Sequence, residues 1–545
     1  MNRSSGMKPY KWLCLAFIAV GLLSITGEFY NGYKGVNEFS DDAYYYIVTA
    51  RNYVDYGFFT FDGINKTNGF HPLWMIITVF LYKLIGTKIS LNLQIFSFKS
   101  LEILLFILIL SSAALMSYRL KKKQSPFSYA FLGVILILVY PGTNNMFTYG
   151  METTIAALFI LYLYYGIVND KLIAVAVLLP LLFLSRLDTL IFVVGPILLY
   201  FLLKREITLL KKIALSIPVV VTSLSYILYN YIKFGYLEPI SGIVKSSFPV
   251  PNVQLSHLSD PILESWFSGT PRPLLYPNLL LLVVALAVAF AILINQVKKK
   301  IMYRRLIYSL FAVIPTLLII NLVFFQKWNK GLPRWYLVLP AVTVVFIFFL
   351  ALHYVFVKYS RFFNIIIICV LILFTLIYLK GLPHKIKEFV KFDENTREHF
   401  MRKQSPETVF AGTDIGGLAF WGGRRVINLD GLVNSYEYQS VLKNQQLSRY
   451  LQEKNVSYLF VCVWADKPKY QMRKNEYMFS HRVNPPAVYS REYKHEYYVY
   501  SYMYNMYSDL IILTPEQEVY RSAIFKDGLN DARDLIFYVG KKEKD

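Results

Sequence analysis

Two adjacent carboxylates, Asp41 and Asp42, stand in the run Phe39-Ser-Asp-Asp-Ala-Tyr-Tyr-Tyr46, just after the first apolar stretch of the chain. Carboxylates beside an apolar segment are costly to bury, so they face water, a partner or a substrate. In that position a carboxylate can take a proton from an acceptor hydroxyl. The plainer reading is that they cap a helix over 43–53, because Asp is a good N-cap. One can cap while the other reacts.

Other polar groups fall where they could join this pair. His71 ends the turn-rich run Phe61-Asp-Gly-Ile-Asn-Lys-Thr-Asn-Gly-Phe-His71, ahead of Pro72, a residue suited to a helix start. It can donate a hydrogen bond to a phosphate, or be a satisfied interfacial residue. Glu152, in Tyr149-Gly-Met-Glu152, opens an apolar run, where the helix dipole alone would favour it. Arg186 lies two residues before Asp188 and either pairs with it or meets a ligand. Lys245 is a cation of the Pro-rich segment 233–273, and Lys327, Lys330, Arg334, Trp335 and Tyr336 crowd a later turn. Basic residues on an outer face run against the positive-inside rule, and an anionic lipid phosphate there would explain them. Snorkelling to ordinary headgroups is the competing account.

The elements that must carry these groups follow from composition. Of 545 residues 55% are hydrophobic and only 17% charged, and mean hydropathy is +0.41. So little charge would barely cover a soluble surface. Apolar runs near 12–29, 96–117, 126–141, 153–168, 172–185, 188–203, 213–232, 274–295, 306–325, 335–356 and 364–379 suggest about eleven membrane spans. The stretch 72–85 is short and broken by Lys83, and letting it cross would move nearly every basic cluster outside. It is therefore expected as a juxtamembrane helix on the outer face. The net charge of +22 sits in short Lys/Arg runs between apolar segments, which is a topology signal and gives no reason to expect nucleic acid.

Beyond about residue 383 charge and turn residues increase. Runs at 409–411, 426–429 and 456–463 read as strands, and 438–453 reads as an amphipathic helix with Val441, Leu442, Leu447 and Leu451 on one face. Tyr498, Tyr500, Tyr502 and Tyr504 alternate as on one face of a strand. The expected organisation is a polytopic α-helical membrane domain over 1–382 and an extracytoplasmic α/β domain over 383–545. The N-terminus would be cytoplasmic, and the protein would lie in the inner (plasma) membrane.

Several chemistries lack their residues. No P-loop or Rossmann glycine fingerprint occurs, no Gly-x-Ser-x-Gly elbow, and no His or Cys spacing suited to a dedicated zinc site. The 3 cysteines make no disulfide framework.

Asp41-Asp42 after the first apolar run, with Asn68-Gly-Phe-His-Pro-Leu-Trp74 before an apolar helix, resembles the GT-C glycosyltransferases. That superfamily includes protein O-mannosyltransferases, the lipid A aminoarabinose transferase and mycobacterial arabinofuranosyltransferases. The resemblance covers about 1–200 and extends to Arg334-Trp-Tyr-Leu-Val-Leu-Pro340, and to Phe410-Ala-Gly-Thr-Asp-Ile-Gly-Gly417 in the outer domain. It implies a GT-C membrane fold and a sugar donor on a polyprenyl phosphate. The acceptor would be an extracytoplasmic glycan, lipid or protein, and transfer would invert the anomeric centre. Asp41 matches the first-loop aspartate that acts as general base. Glu152 falls where many members carry Asp. No cofactor is required by this reading, although a divalent metal could assist, and no metal-ligand set is evident. The competing class is a polytopic transporter or flippase of lipid-linked glycans, which should show internal repeats or broken helices with midplane charge. Neither is found in the sequence.

Overall fold

A computed structural model of the protein describes residues 7–33, 39–140, 144–245, 288, 291–293, 334–356, 360–387, 397–464, 495–497, 500–501, 506–521, 525–527 and 530–540. The first part is helical: α1 (Met7–Tyr33), α2 (Asp41–Tyr56), α3 (Pro72–Ile85), α4 (Leu91–Lys122), α5 (Phe127–Leu138), α6 (Thr153–Val168) and α7 (Leu172–Ser185). A π-type turn, Leu190–Val194, leads into α8 (Gly195–Leu203), and α9 (Leu209–Phe234) and α10 (Ile240–Lys245) follow. Two further helices, Arg334–Phe356 and Ser360–Lys387, pack back on the early ones.

Local chemistry sets the boundaries that matter for function. Ser40, extended at φ −64° and ψ 154°, takes the N-cap position of α2. Asp41 and Asp42 are thereby first-turn residues, where the exposed N–H groups favour negative charge. The helix ends at Gly57, whose φ of 80° is the left-handed conformation that only glycine adopts cheaply. Pro72 begins α3 with His71 at its N-cap. Thr208 caps α9 by accepting the N–H of Lys211, and Gly235 closes it.

The expectation of about eleven membrane spans is corrected by these helices. Among the described residues two are long and apolar enough to cross a membrane, by length and composition: Leu91–Lys122 and Leu209–Phe234. The apolar stretches of α3, α5, α6 and α7 are shorter, and so are those within α1 and the two later helices. At about 1.5 Å per residue, runs of this size fall short of a hydrocarbon layer of about 30 Å. Much of their apolar surface is used inside the protein. Nearly every side chain of α5 and most of those of α6 are buried, in one core shared with α1, α4, α7 and Arg334–Phe356. Hydropathy alone scores a helix buried on all sides like a span. The runs expected at 274–295 and 306–325 lie almost wholly outside the described residues.

The second part is an α/β unit. Arg425–Asn428, Val409–Gly412 and Val456–Trp464 pair in parallel, and Asn530–Tyr538 adds antiparallel to the last of these. Glu518–Arg521 and Phe525–Asp527 both pair with Asn530–Tyr538. The amphipathic stretch expected as one helix over 438–453 is two, Tyr436–Lys443 and Leu447–Glu453. The break falls at Gln445, held at φ 53°. Of the alternating tyrosines, Tyr498, Tyr502 and Tyr504 lie outside the described residues, and Tyr500 sits in the short strand Tyr500–Ser501.

The two parts share a core. Ala43, Tyr44, Ile47 and Trp74 cluster with Phe410, Leu418, Phe420, Trp421 and Leu432. At this seam a Cβ added to Gly69 would overlap the main-chain carbonyl of Leu432. Backbone meets backbone there, so glycine is required on steric grounds.

Candidate functional site

Successive residues on a helix point about 100° apart, and this separates the two aspartates of α2. Asp41 looks toward the C-terminal unit. Its carboxylate accepts the N–H of Gly416 at 2.9 Å and of Gly417 at 2.8 Å. Asp42 looks the other way and lines a cavity of about 280 Å³. Tyr45, Tyr46 and Thr49 follow Asp42 along the same face at spacings of one helical turn, and all three line that cavity.

The cavity has two kinds of wall. Asp42, His71, Glu152, Asp188 and Lys245 form a polar end whose charges act on one another, and Glu238 and Ser241 add further polar lining. The rest is mostly apolar, with Phe183 of α7, Leu187, Leu190 and Ile191 after it, Tyr226 and Ile227 of α9, and Leu237. Leu432 and Val433 reach in from the C-terminal unit. The outer face of α9 is hydrocarbon that no described part of the protein covers: Leu210, Ile217, Val221, Leu224, Leu228 and Ile232 are exposed.

Behind the polar end lies a buried network. Arg186 and Glu152 are both fully out of solvent, with Nη1 of Arg186 3.2 Å from Oε1 of Glu152. Arg186 Nε also donates to Asp188 at 3.0 and 3.2 Å. The Tyr46 hydroxyl donates to Glu152 Oε2 at 3.0 Å. His71 Nε2 lies 3.6 Å from Glu152 Oε1, while its Nδ1 accepts the N–H of Leu187 at 3.2 Å. That acceptor role places the ring proton on Nε2. Burial lowers the His71 pKa to about 3, helped by the nearby Arg186 and Lys245 and opposed by Asp188, so the ring is neutral.

Burial is also the main influence on the aspartates. It lifts Asp42 above the usual carboxylate range. The Lys245 ammonium pulls in the opposite direction, and Glu152 adds to the rise. Asp41 is raised by burial against the two glycine N–H groups, which hold it down. A carboxylate lifted toward neutrality is a better base for a hydroxyl than an ordinary one.

The segment carrying Lys245 is pinned by Asn68. Its Oδ1 accepts from the Ile240 N–H and the Tyr436 hydroxyl, each at 3.1 Å, and its Nδ2 donates to Asn230 at 3.1 Å. The loop before α3, helix α9, the Lys245 segment and the C-terminal unit therefore meet at one side chain.

Asp42, Glu152, His71 and Lys245 are thus brought together at the cavity, with Arg186 behind them holding Glu152. Asp41 is adjacent in sequence but engaged elsewhere. Lys327 and Lys330 lie outside the described residues. Arg334 and Tyr336 open the helix Arg334–Phe356, and their side chains lie outside what is described. Sequence reasoning missed Tyr45, Tyr46, Thr49 and the Leu432–Val433 corner. The spacing of Asp42, Tyr45, Tyr46 and Thr49 was a readable signal for the first three. Among the described residues no three His, Cys, Asp or Glu side chains gather to hold a metal ion.

Residues 387–520 match a family described as a domain of unknown function, DUF8728. No curated protein matches the chain. The match falls on the α/β unit and leaves the cavity's helical walls outside it.

Proposed function

We propose that the protein is a glycosyltransferase that takes its sugar from a polyprenyl-phosphate donor and passes it to a hydroxyl of a glycan, lipid or protein outside the cell. The observation that carries this reading is the two-natured cavity. A carboxylate and an ammonium stand at one end, and an apolar wall leads to a helix whose outer face is exposed hydrocarbon. A lipid-linked phosphosugar has the same two natures. About 280 Å³ is room for a headgroup and the start of a chain, and the remaining isoprene units would run along α9. Exposed apolar surface of that extent is otherwise a liability. In this reading α4 and α9 seat the protein in the plasma membrane, with the cavity at its outer face.

The chemistry follows from the residues. The acceptor hydroxyl oxygen attacks the anomeric carbon as the bond from that carbon to the phosphate oxygen breaks. The phosphate leaves with the bonding pair, and Asp42 takes the hydroxyl proton. Lys245 offsets the charge developing on the departing phosphate. Single displacement inverts the anomeric centre. Glu152, Arg186, His71 and Tyr46 form a rigid polar wall that fixes both substrates. The resemblance of the sequence to GT-C enzymes agrees in reaction class, while the geometry favours Asp42 over Asp41 as the base.

The test is to incubate the purified protein with radiolabelled polyprenyl-phosphate sugars and a mixture of envelope acceptors, and to follow release of the lipid phosphate. Consumption that stops in Asp42→Asn supports the reading. If nucleotide sugars are consumed while every lipid-phosphate sugar is left intact, the reading fails.

A further inference from the structure

We infer that Asp41 is a positioning residue. Its carboxylate clamps the C-terminal α/β unit onto the start of α2, and through that clamp the unit holds Asp42 in the cavity. The inference rests on the reading of Asp42 as the base.

Three contacts bracket Asp42. On its N-terminal side both Asp41 oxygens are occupied by the main-chain N–H groups of Gly416 and Gly417. Bonds from N–H to a carboxylate are roughly twice as strong as neutral ones. The backbones also touch, because a Cβ on Gly416 would overlap the Asp41 carbonyl oxygen. On its C-terminal side Trp421 Nε1 donates to the Tyr44 hydroxyl at 3.3 Å. The Tyr45 hydroxyl donates to Asp430 Oδ2 at 3.0 Å and accepts from Asn428 Nδ2 at 3.2 Å. Asp42 itself makes none of these bonds. Its neighbours on both sides are fixed by one unit, and its own side chain is left for the cavity. The first turn of a helix is where backbone most readily frays. A base at that position needs such bracing, since small misplacements of a reacting group cost large factors in rate.

The two adjacent aspartates thereby exchange the roles that the resemblance to GT-C enzymes implies, in which Asp41 is the base. Both oxygens of Asp41 are held by main-chain N–H groups of the C-terminal unit, whereas Asp42 lines the cavity. If Asp41 is a clamp, disturbing the glycines, which take no part in the chemistry, should have the same effect as disturbing Asp41.

The experiment compares Asp41→Asn, Gly416→Ala, their double variant and Asp42→Asn in the full-length protein. Hydrogen exchange over the segment holding Gly416 and Gly417 reads the clamp. Carbodiimide labelling of Asp42, located by mass spectrometry, reads its placement without needing turnover. Transfer of sugar from a polyprenyl phosphate reads function. The expected result is that Asp41→Asn and Gly416→Ala each speed exchange, raise Asp42 labelling several-fold and lower kcat about tenfold with little change in KM, and that the double variant is no worse than either. Asp42→Asn should lose about a hundredfold or more in kcat with exchange unchanged. The inference is overturned if Asp41→Asn is as inactive as Asp42→Asn while the glycine segment exchanges as in the wild type. It is equally overturned if exchange speeds up and both Asp42 labelling and turnover stay at wild-type level. Should the wild type transfer nothing, the proposed function falls and labelling alone decides: a rise in both clamp variants upholds the clamp, and no rise removes it. Gly416→Ala keeps the test open if Asp41→Asn does not fold.

Discussion

Arg186 and Glu152 form an ion pair with no solvent exposure on either side chain, Nη1 to Oε1 at 3.2 Å. Burying two charges costs so much that such pairs often add little net stability, yet breaking one leaves an uncompensated charge inside. Here the pair also orders its neighbours, because Glu152 accepts from Tyr46 and Arg186 donates to Asp188. Its role is to make the polar wall of the cavity rigid.

Removing one partner should therefore be severe. Arg186→Met is expected to destabilise the fold by about 3–5 kcal/mol, seen as a lowered midpoint of unfolding in detergent. Adding Glu152→Gln should recover part of that loss, because the stranded charge is gone and the amide can still accept from Tyr46. Equal stability of Arg186→Met and the wild type would contradict the burial described for this pair.

The pH dependence of transfer should carry the mark of Asp42. Burial raises its pKa, and a base works only when deprotonated. The acid limb of kcat/KM is expected at higher pH than an ordinary aspartate would give. Replacing Lys245 by Met removes the charge that holds Asp42 down, so the limb should move further up. A limb that moves down in Lys245→Met would rule out this pairing.

His71 should contribute no limb of its own. With a pKa lowered to about 3 the ring stays neutral through the physiological range. Among the signals that do not titrate between about pH 5 and 8 in labelled-histidine NMR, one should disappear in His71→Gln. Its tautomer, with the proton on Nε2, should be visible in the same nitrogen shifts.

Much of this arrangement was legible because it is local. Pro72 starts its helix by a rule that needs only a few residues of context, although the cap expected from the aspartates of α2 is Ser40, and Asp41 and Asp42 lie inside the first turn. The strands at Val409–Gly412, Arg425–Asn428 and Val456–Trp464 lie within a residue or two of the runs that suggested them. What stayed hidden was either long-range or degenerate. The contact of Asp41 with Gly416 joins residues 375 apart, and no periodicity encodes such a meeting. Apolar runs were degenerate, since a short helix buried on all sides has the hydropathy of a membrane span. The break at Gln445 was missed because neither glycine nor proline marks it, and the apolar spacing runs through it undisturbed.

The seam between the two units should weaken as pH rises from acid toward neutral, because of Asp430. Its carboxyl accepts from Tyr45, Asn428 and Leu432 at 2.9–3.0 Å, and burial still outweighs these bonds and lifts its pKa from 3.8 to about 6. Between those two values the folded protein keeps a proton that the unfolded chain has lost. Stability therefore falls with rising pH across that interval. The contribution is fully present below about pH 4 and is lost as pH passes 6, with a size of roughly 2–3 kcal/mol. Protonation costs the site little geometry, since the Tyr45 hydroxyl can reverse and accept. In Asp430→Asn this term is absent. The difference in unfolding midpoint between wild type and Asp430→Asn should most favour the wild type near pH 4 and shrink by pH 7. A difference that grows with pH would mean that the four donors around Asp430, the Asp414 N–H included, hold it ionised in the folded protein.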